Sequence, residues 1–161
     1  MKPQFDHERL KVYQAALRFN GWVGDILAAV EARAAVKDQL DRAATSVPLN
    51  IAEGNGKFSR RDRARYFDIA RGSAVESASC LDVIVSRKLA TTERVEEGKA
   101  ILFEIVNMLM GLLKGLGYFG DDESVRLREE CGETALDEAI VRRAVTYPSK
   151  SKSKSKSKSK R

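Results

Sequence analysis

Apolar residues recur every three or four positions through most of the first 117 residues, and nowhere do they alternate with a strand period for long enough to compete. Four such runs are separated by short breaker segments, which commits the chain to helices. The first run spans about Glu8 to Ala35 and carries Leu10, Tyr13, Leu17, Val23, Leu27 and Val30, with Trp22 and Ile26 widening the stripe. Gly21 and Gly24 inside it predict close packing or a bend. The second run, Val36 to Ala52, places Leu40, Ala43, Ala44, Val47 and Ile51 on one side. Pro48 predicts a kink, and Gly54-Asn55-Gly56 a left-handed stop. Ser59 is the expected N-cap of a third helix from about Arg60 to Leu89, with Asp62 as a short-armed capping acid. Phe67, Ala70, Ala74, Ser77, Leu81 and Ile84 form its stripe, and its small middle (Gly72-Ser73-Ala74, Ser77-Ala78-Ser79) admits a close neighbour. Thr91-Thr92-Glu93 caps a fourth helix running to about Leu116, apolar over more than one face and so expected to be covered on more than one side.

Four long helices joined by short turns predict an all-α, up-down four-helix bundle over residues 1–120. Residues 121–147 hold eight acids against four arginines and are expected to form a weak fifth helix. Residues 148–161 end in a Ser-Lys repeat with nothing to bury and are expected to be a disordered tail. The tail dominates the electrostatics. The chain of 161 residues has a formal charge of +6, yet six lysines and Arg161 put +7 into the tail, leaving 22 basic against 23 acidic side chains in the body. The high isoelectric point therefore belongs to an appendage.

Whole classes of chemistry drop out. No apolar run approaches the roughly 20 residues that span a bilayer, and the charged N-terminus has no signal-peptide core, so a cytoplasmic location is expected. Two cysteines, Cys80 and Cys131, are too few for a disulfide framework and read as reduced packing residues. With His7 as the only histidine, the His-based metal motifs are impossible. No phosphate-cradling or nucleophile-elbow motif is present, so neither catalytic residues nor a cofactor are expected.

The block LDRAATSVPLNIAEG at residues 40–54, followed by Gly56, Ser59, Phe67 and ARGSAVE at 70–76, resembles the four-helix-bundle family encoded in intervening sequences of 23S ribosomal RNA genes. The opening LKVYQAALRF at 10–19 is similar to that family's first-helix signature, and the resemblance spans about residues 5–117. It implies a fold related to the accessory variability proteins of diversity-generating retroelements. Those are barrel-like homopentamers that bind nucleic acid and a reverse transcriptase. The family has no established catalytic activity.

The basic cluster Lys57, Arg60, Arg61, Arg63 and Arg65 lies at a predicted helix start, where arginine forks suit phosphate oxygens. Phe58 and Tyr66 lie within reach of it for stacking on an unpaired base, as single-strand binders do. The competing reading is a solvated face paired to its own acids, with the aromatics in the core. Arg42, Asn50, Glu53, Arg71 and Glu76 are expected to pair structurally, with Arg42–Glu53 and Arg71–Glu76 as candidate ion pairs. The expected function is nucleic-acid binding by a homo-oligomer, RNA before DNA, through this cluster and the tail. The alternative is an oligomeric adaptor for a protein such as a reverse transcriptase or ribosomal component. A hydrolase using Glu53 and Glu76 has no spacing in its favour.

Overall fold

The computed structural model describes residues 3–30 and 35–119. A short 3-10 turn, Asp6–Arg9, precedes α1 (Lys11–Ala29), α2 (Ala35–Gly56), α3 (Arg60–Ser86) and α4 (Thr92–Gly115), with no strand among the described residues. Each helix packs against its sequence neighbours, and α1 closes the ring on α4. The result is the expected four-helix bundle. The fifth helix and the tail expected over 121–161 lie outside the described residues, as does Cys131.

The first helical run is divided. Leu10 is extended (φ −74°, ψ 124°), and the Glu8 carboxylate accepts the backbone N–H groups of Gln4 and Phe5 at 2.5 and 2.9 Å. These bonds hold the Glu8 carboxyl below its ordinary range. The phase of α1 also differs from the expected stripe. Val12, Ala15, Ala16, Phe19, Val23 and Ile26 face the core, while Leu17 is half exposed. In α2 and α3 every expected stripe residue is buried.

Pro48 does not end α2, which continues to Gly56. Proline has no N–H to give the Ala44 carbonyl one turn back. Asn20 of α1 supplies the missing donor: its Nδ2 donates to Ala44 O at 2.8 Å and to Ala16 O at 3.0 Å. Gly54 does not serve as a left-handed stop either. It is buried inside α2, where a Cβ would lie 2.9 Å from Tyr66 Cβ and 3.0 Å from the Phe67 ring. Absence of a side chain, not backbone freedom, is what that position requires.

The small middle of α3 is explained by its contact with α2. Ser46 Oγ and Ser73 Oγ lie 2.9 Å apart across the interface, and Ser77 Oγ donates to Ser73 O. Asn50 Nδ2 donates to both Ser46 O and Ser46 Oγ, at 2.8 and 2.9 Å. Buried hydroxyls are thus satisfied within a close-packed seam. On the opposite side of the bundle, Trp22 lies on Gly98 of α4 and stacks on Phe19 at 5.9 Å. A Cβ at Gly98 would meet Trp22 Cε3 at 2.7 Å and two further ring carbons closer still. Gly21 and Gly24, expected to mark close packing or a bend, instead have no heavy atom within 4 Å of where a Cβ would sit. They face outward.

Two helix ends share one geometry. After α3, the Lys88 N–H donates to Val85 O and the Leu89 N–H to Ile84 O; after α4, Gly117 donates to Lys114 O and Tyr118 to Leu113 O. These are Schellman pairs, which place one residue in the left-handed region. That residue is Lys88 (φ 59°) in one case and Gly117 (φ 71°) in the other.

A candidate nucleic-acid interface at the α2–α3 elbow

Three residues, Lys57 to Ser59, join α2 to α3. The turn is tight because Ser59 caps α3, its Oγ accepting the Asp62 N–H at 3.3 Å. Basic side chains cluster here, but they divide into two groups.

Lys57 and Arg63 are engaged by partners within the molecule, Lys57 at the surface and Arg63 partly buried. Lys57 Nζ is 3.0 Å from Glu53 Oε1 and 4.6 Å from the centre of the Tyr66 ring, a combined ion pair and cation–π contact. The Tyr66 hydroxyl and Lys57 together hold the Glu53 carboxyl below its ordinary range, and Glu53 in turn raises Lys57. Arg63 turns back onto the end of α2. Its Nη2 donates to Lys57 O at 3.0 Å and Asn55 O at 3.4 Å, placing a cation where the helix dipole favours one. Its Nε is buried without a partner among the described residues. Beside it, Leu10, Phe67, Gly111 and Leu116 line a cavity of about 140 Å³.

Arg60, Arg61 and Arg65 are exposed, and none forms a hydrogen bond or ion pair among the described residues. Arg61 and Arg65 are four apart and share a helix face. Phe58 next to them is fully exposed, at 104% of its reference area, whereas Tyr66 is half-buried under Lys57. The elbow therefore presents three available guanidinium groups, one open aromatic ring and one acid, Asp62. The sequence placed five cations together; packing divides them three and two.

The two candidate ion pairs do not form. Arg42 and Glu53 are both in α2, eleven residues apart, or about 16 Å along the axis at 1.5 Å per residue. Arg42 instead donates to Gln39, and Gln39 to Glu76 of α3, so Arg42 and Glu76 are joined through a side-chain amide. Arg71 and Glu76 are five apart in α3, which turns them roughly 140° from one another. Arg71 pairs with Asp68, one turn away, through Nε and Nη2 at 2.9 and 2.7 Å. The Tyr118 hydroxyl donates to the other Asp68 oxygen at 3.2 Å, tying the end of α4 to α3. No sequence signal pointed to the Asn20–Ala44 or Tyr118–Asp68 bonds, because each joins groups far apart in the chain, whereas the Arg71–Asp68 pair is local.

His7 lies between the rings of Phe5 (5.7 Å, stacked) and Tyr13 (4.8 Å, edge-on). Cys80 is buried and unpaired, with its thiol pushed up by burial and then by Glu76. No cluster of three or more His, Cys, Asp or Glu among the described residues is placed to hold a metal, and no helix among them is long and apolar enough to cross a membrane.

Fold and elbow define a class: a small four-helix bundle with a hydrogen-bonded α2–α3 seam and a basic turn at one end. The 23S rRNA-intervening sequence protein family matches this sequence over residues 8–111, and the chain belongs to that family. A solved structure of a protein of unknown function from the S23 ribosomal protein family of Bacteroides thetaiotaomicron is similar, with a TM-score of 0.62 and 24% identity over 64% of this chain and 98% of that one. At that identity it supports the fold alone. No curated protein matches the sequence.

Proposed function

We propose that the protein is a non-catalytic, cytoplasmic nucleic-acid-binding bundle that contacts phosphates through Arg60, Arg61 and Arg65, assisted by the basic tail. The observation that carries this reading is the unpaired state of those three arginines at one exposed turn. A guanidinium without an internal carboxylate keeps its full fork for a phosphate. RNA is favoured over DNA by the family's tie to 23S ribosomal RNA. Absence of catalysis fits the engagement of Glu53 with Lys57 and Tyr66, and of Glu76 with Gln39.

The test replaces Arg60, Arg61 and Arg65 with Ala together and measures binding to RNA and to DNA of matching sequence across a salt series. The slope of log affinity against log salt should fall in steepness by about 2–3, as expected for three lost phosphate contacts. Circular dichroism should be unchanged, because all three side chains are exposed. An unaltered slope would exclude the elbow.

A second reading rests on a separate observation. Ile69, Val75 and Val83 of α3, Leu17 of α1, Leu49 of α2 and Phe103 of α4 are exposed apolar side chains. They favour assembly into a homo-oligomer, a pentamer by family resemblance, or docking of a protein partner such as a reverse transcriptase or ribosomal component. Light scattering reads the assembly directly. A stoichiometric protein recovered after nuclease treatment would favour the adaptor.

A further inference from the structure

Resting on the nucleic-acid reading of the elbow, we propose that Phe58 is a stacking platform for an unpaired base, so that the elbow selects single-stranded over duplex nucleic acid. The two aromatics of the turn differ in availability. The Tyr66 ring has one face under Lys57 and is half-buried. Phe58 is fully exposed and contacts no other ring among the described residues. It is not displaced core: Phe67, nine residues on, fills the core position and is 3% exposed.

Position gives the open ring its meaning. Phe58 lies two residues before Arg60, within the same turn and start of α3 as Arg61 and Arg65, and only Asp62 opposes their charge there. An apolar ring among unpaired cations suits a ligand that is anionic along its backbone and flat and aromatic on its side groups. An unpaired strand has both features. A duplex shares the phosphates but keeps its bases stacked internally, with no free face for Phe58. A phenyl ring also has no hydrogen-bonding group, so the preference is for strand state and not for sequence.

The experiment uses the full chain, so that the tail contributes equally in every variant. Binding is measured to an unstructured uridylate RNA carrying 2-aminopurine and to a blunt RNA duplex with the same number of phosphates. Phe58→Ala should weaken the single strand about ten- to a hundredfold, and leave the duplex within about twofold. It should also abolish the 2-aminopurine quenching that stacking produces, and Phe58→Trp should restore it. Arg60→Ala with Arg61→Ala and Arg65→Ala should weaken both ligands. Equal loss on both ligands, or on neither, after Phe58→Ala overturns the stacking role while leaving the arginine site standing. If the triple arginine variant binds both as the parent does, the elbow reading itself fails. Displacement of the RNA by polyglutamate, equally sensitive to Phe58→Ala, would assign the ring to an acidic protein partner and also overturn the inference.

Discussion

Asn20 and Pro48 form a unit that neither residue reveals alone. Proline orphans the Ala44 carbonyl, and the Asn20 amide reaches across from α1 to satisfy it. Removing that donor leaves a buried acceptor unpaired, at a cost of about 1–3 kcal/mol. Asn20→Ala should destabilise by that amount in urea melts of the parent. In a Pro48→Ala background the backbone N–H of residue 48 can bond Ala44 O, and the same substitution should cost under about 1 kcal/mol. Equal costs in the two backgrounds would refute the coupling. Gly98 presents the opposite problem, a position where any side chain is too much. Gly98→Ala drives a methyl into Trp22 and should cost about 1–3 kcal/mol or more. The chain has a single Trp, so its fluorescence reports the displacement directly: a red-shifted emission maximum is expected.

At the scale of elements, the ends of α3 and α4 show one motif filled by different residues. Gly117 adopts its left-handed conformation freely, while Lys88 carries the steric cost of a Cβ there, roughly 1–2 kcal/mol. Lys88→Gly should therefore stabilise the protein by about 1 kcal/mol, raising its melting temperature by a few degrees. Helix existence and most cap residues could be read from the sequence: Ser59 and Thr91 are the N-caps their types predicted. Phase was less legible. In α1 two interleaved sets of apolar residues compete, and the sequence favoured the larger side chains of Leu10, Tyr13 and Leu17. Packing instead buries Val12, Ala15, Ala16 and Phe19, because alanines let α1 settle against its neighbours. The same choice leaves Leu17 outside.

For the whole molecule, charge is a matter of place. The body up to residue 148 is net −1, so any phosphate affinity it has must come from a local field, such as that of the elbow arginines. If the tail's seven charges and the three arginines all engage phosphate, the salt slope of the full chain should be about −7 to −9. A chain ending at Tyr147 should retain binding with a slope of about −2 to −3. Complete loss of binding on truncation would assign the affinity to the tail and leave the bundle to assembly.

Sequence alone determined that the chain is helical, that four helices form the body, and that cations gather between the second and third. Those properties are carried by periodicity, capping chemistry and composition, all of them local. Only the tertiary structure decided which cations remain available. Lys57 is held by Glu53 and Tyr66, and Arg63 by the carbonyls at the end of α2, whereas Arg60, Arg61 and Arg65 meet no partner. It also decided that Gly54 and Gly98 are close-contact positions, and that Phe58 points to solvent while Phe67 fills the core. The reason is physical: a side chain's availability depends on what lies opposite it, and residues far apart in the chain become opposite only when the helices pack.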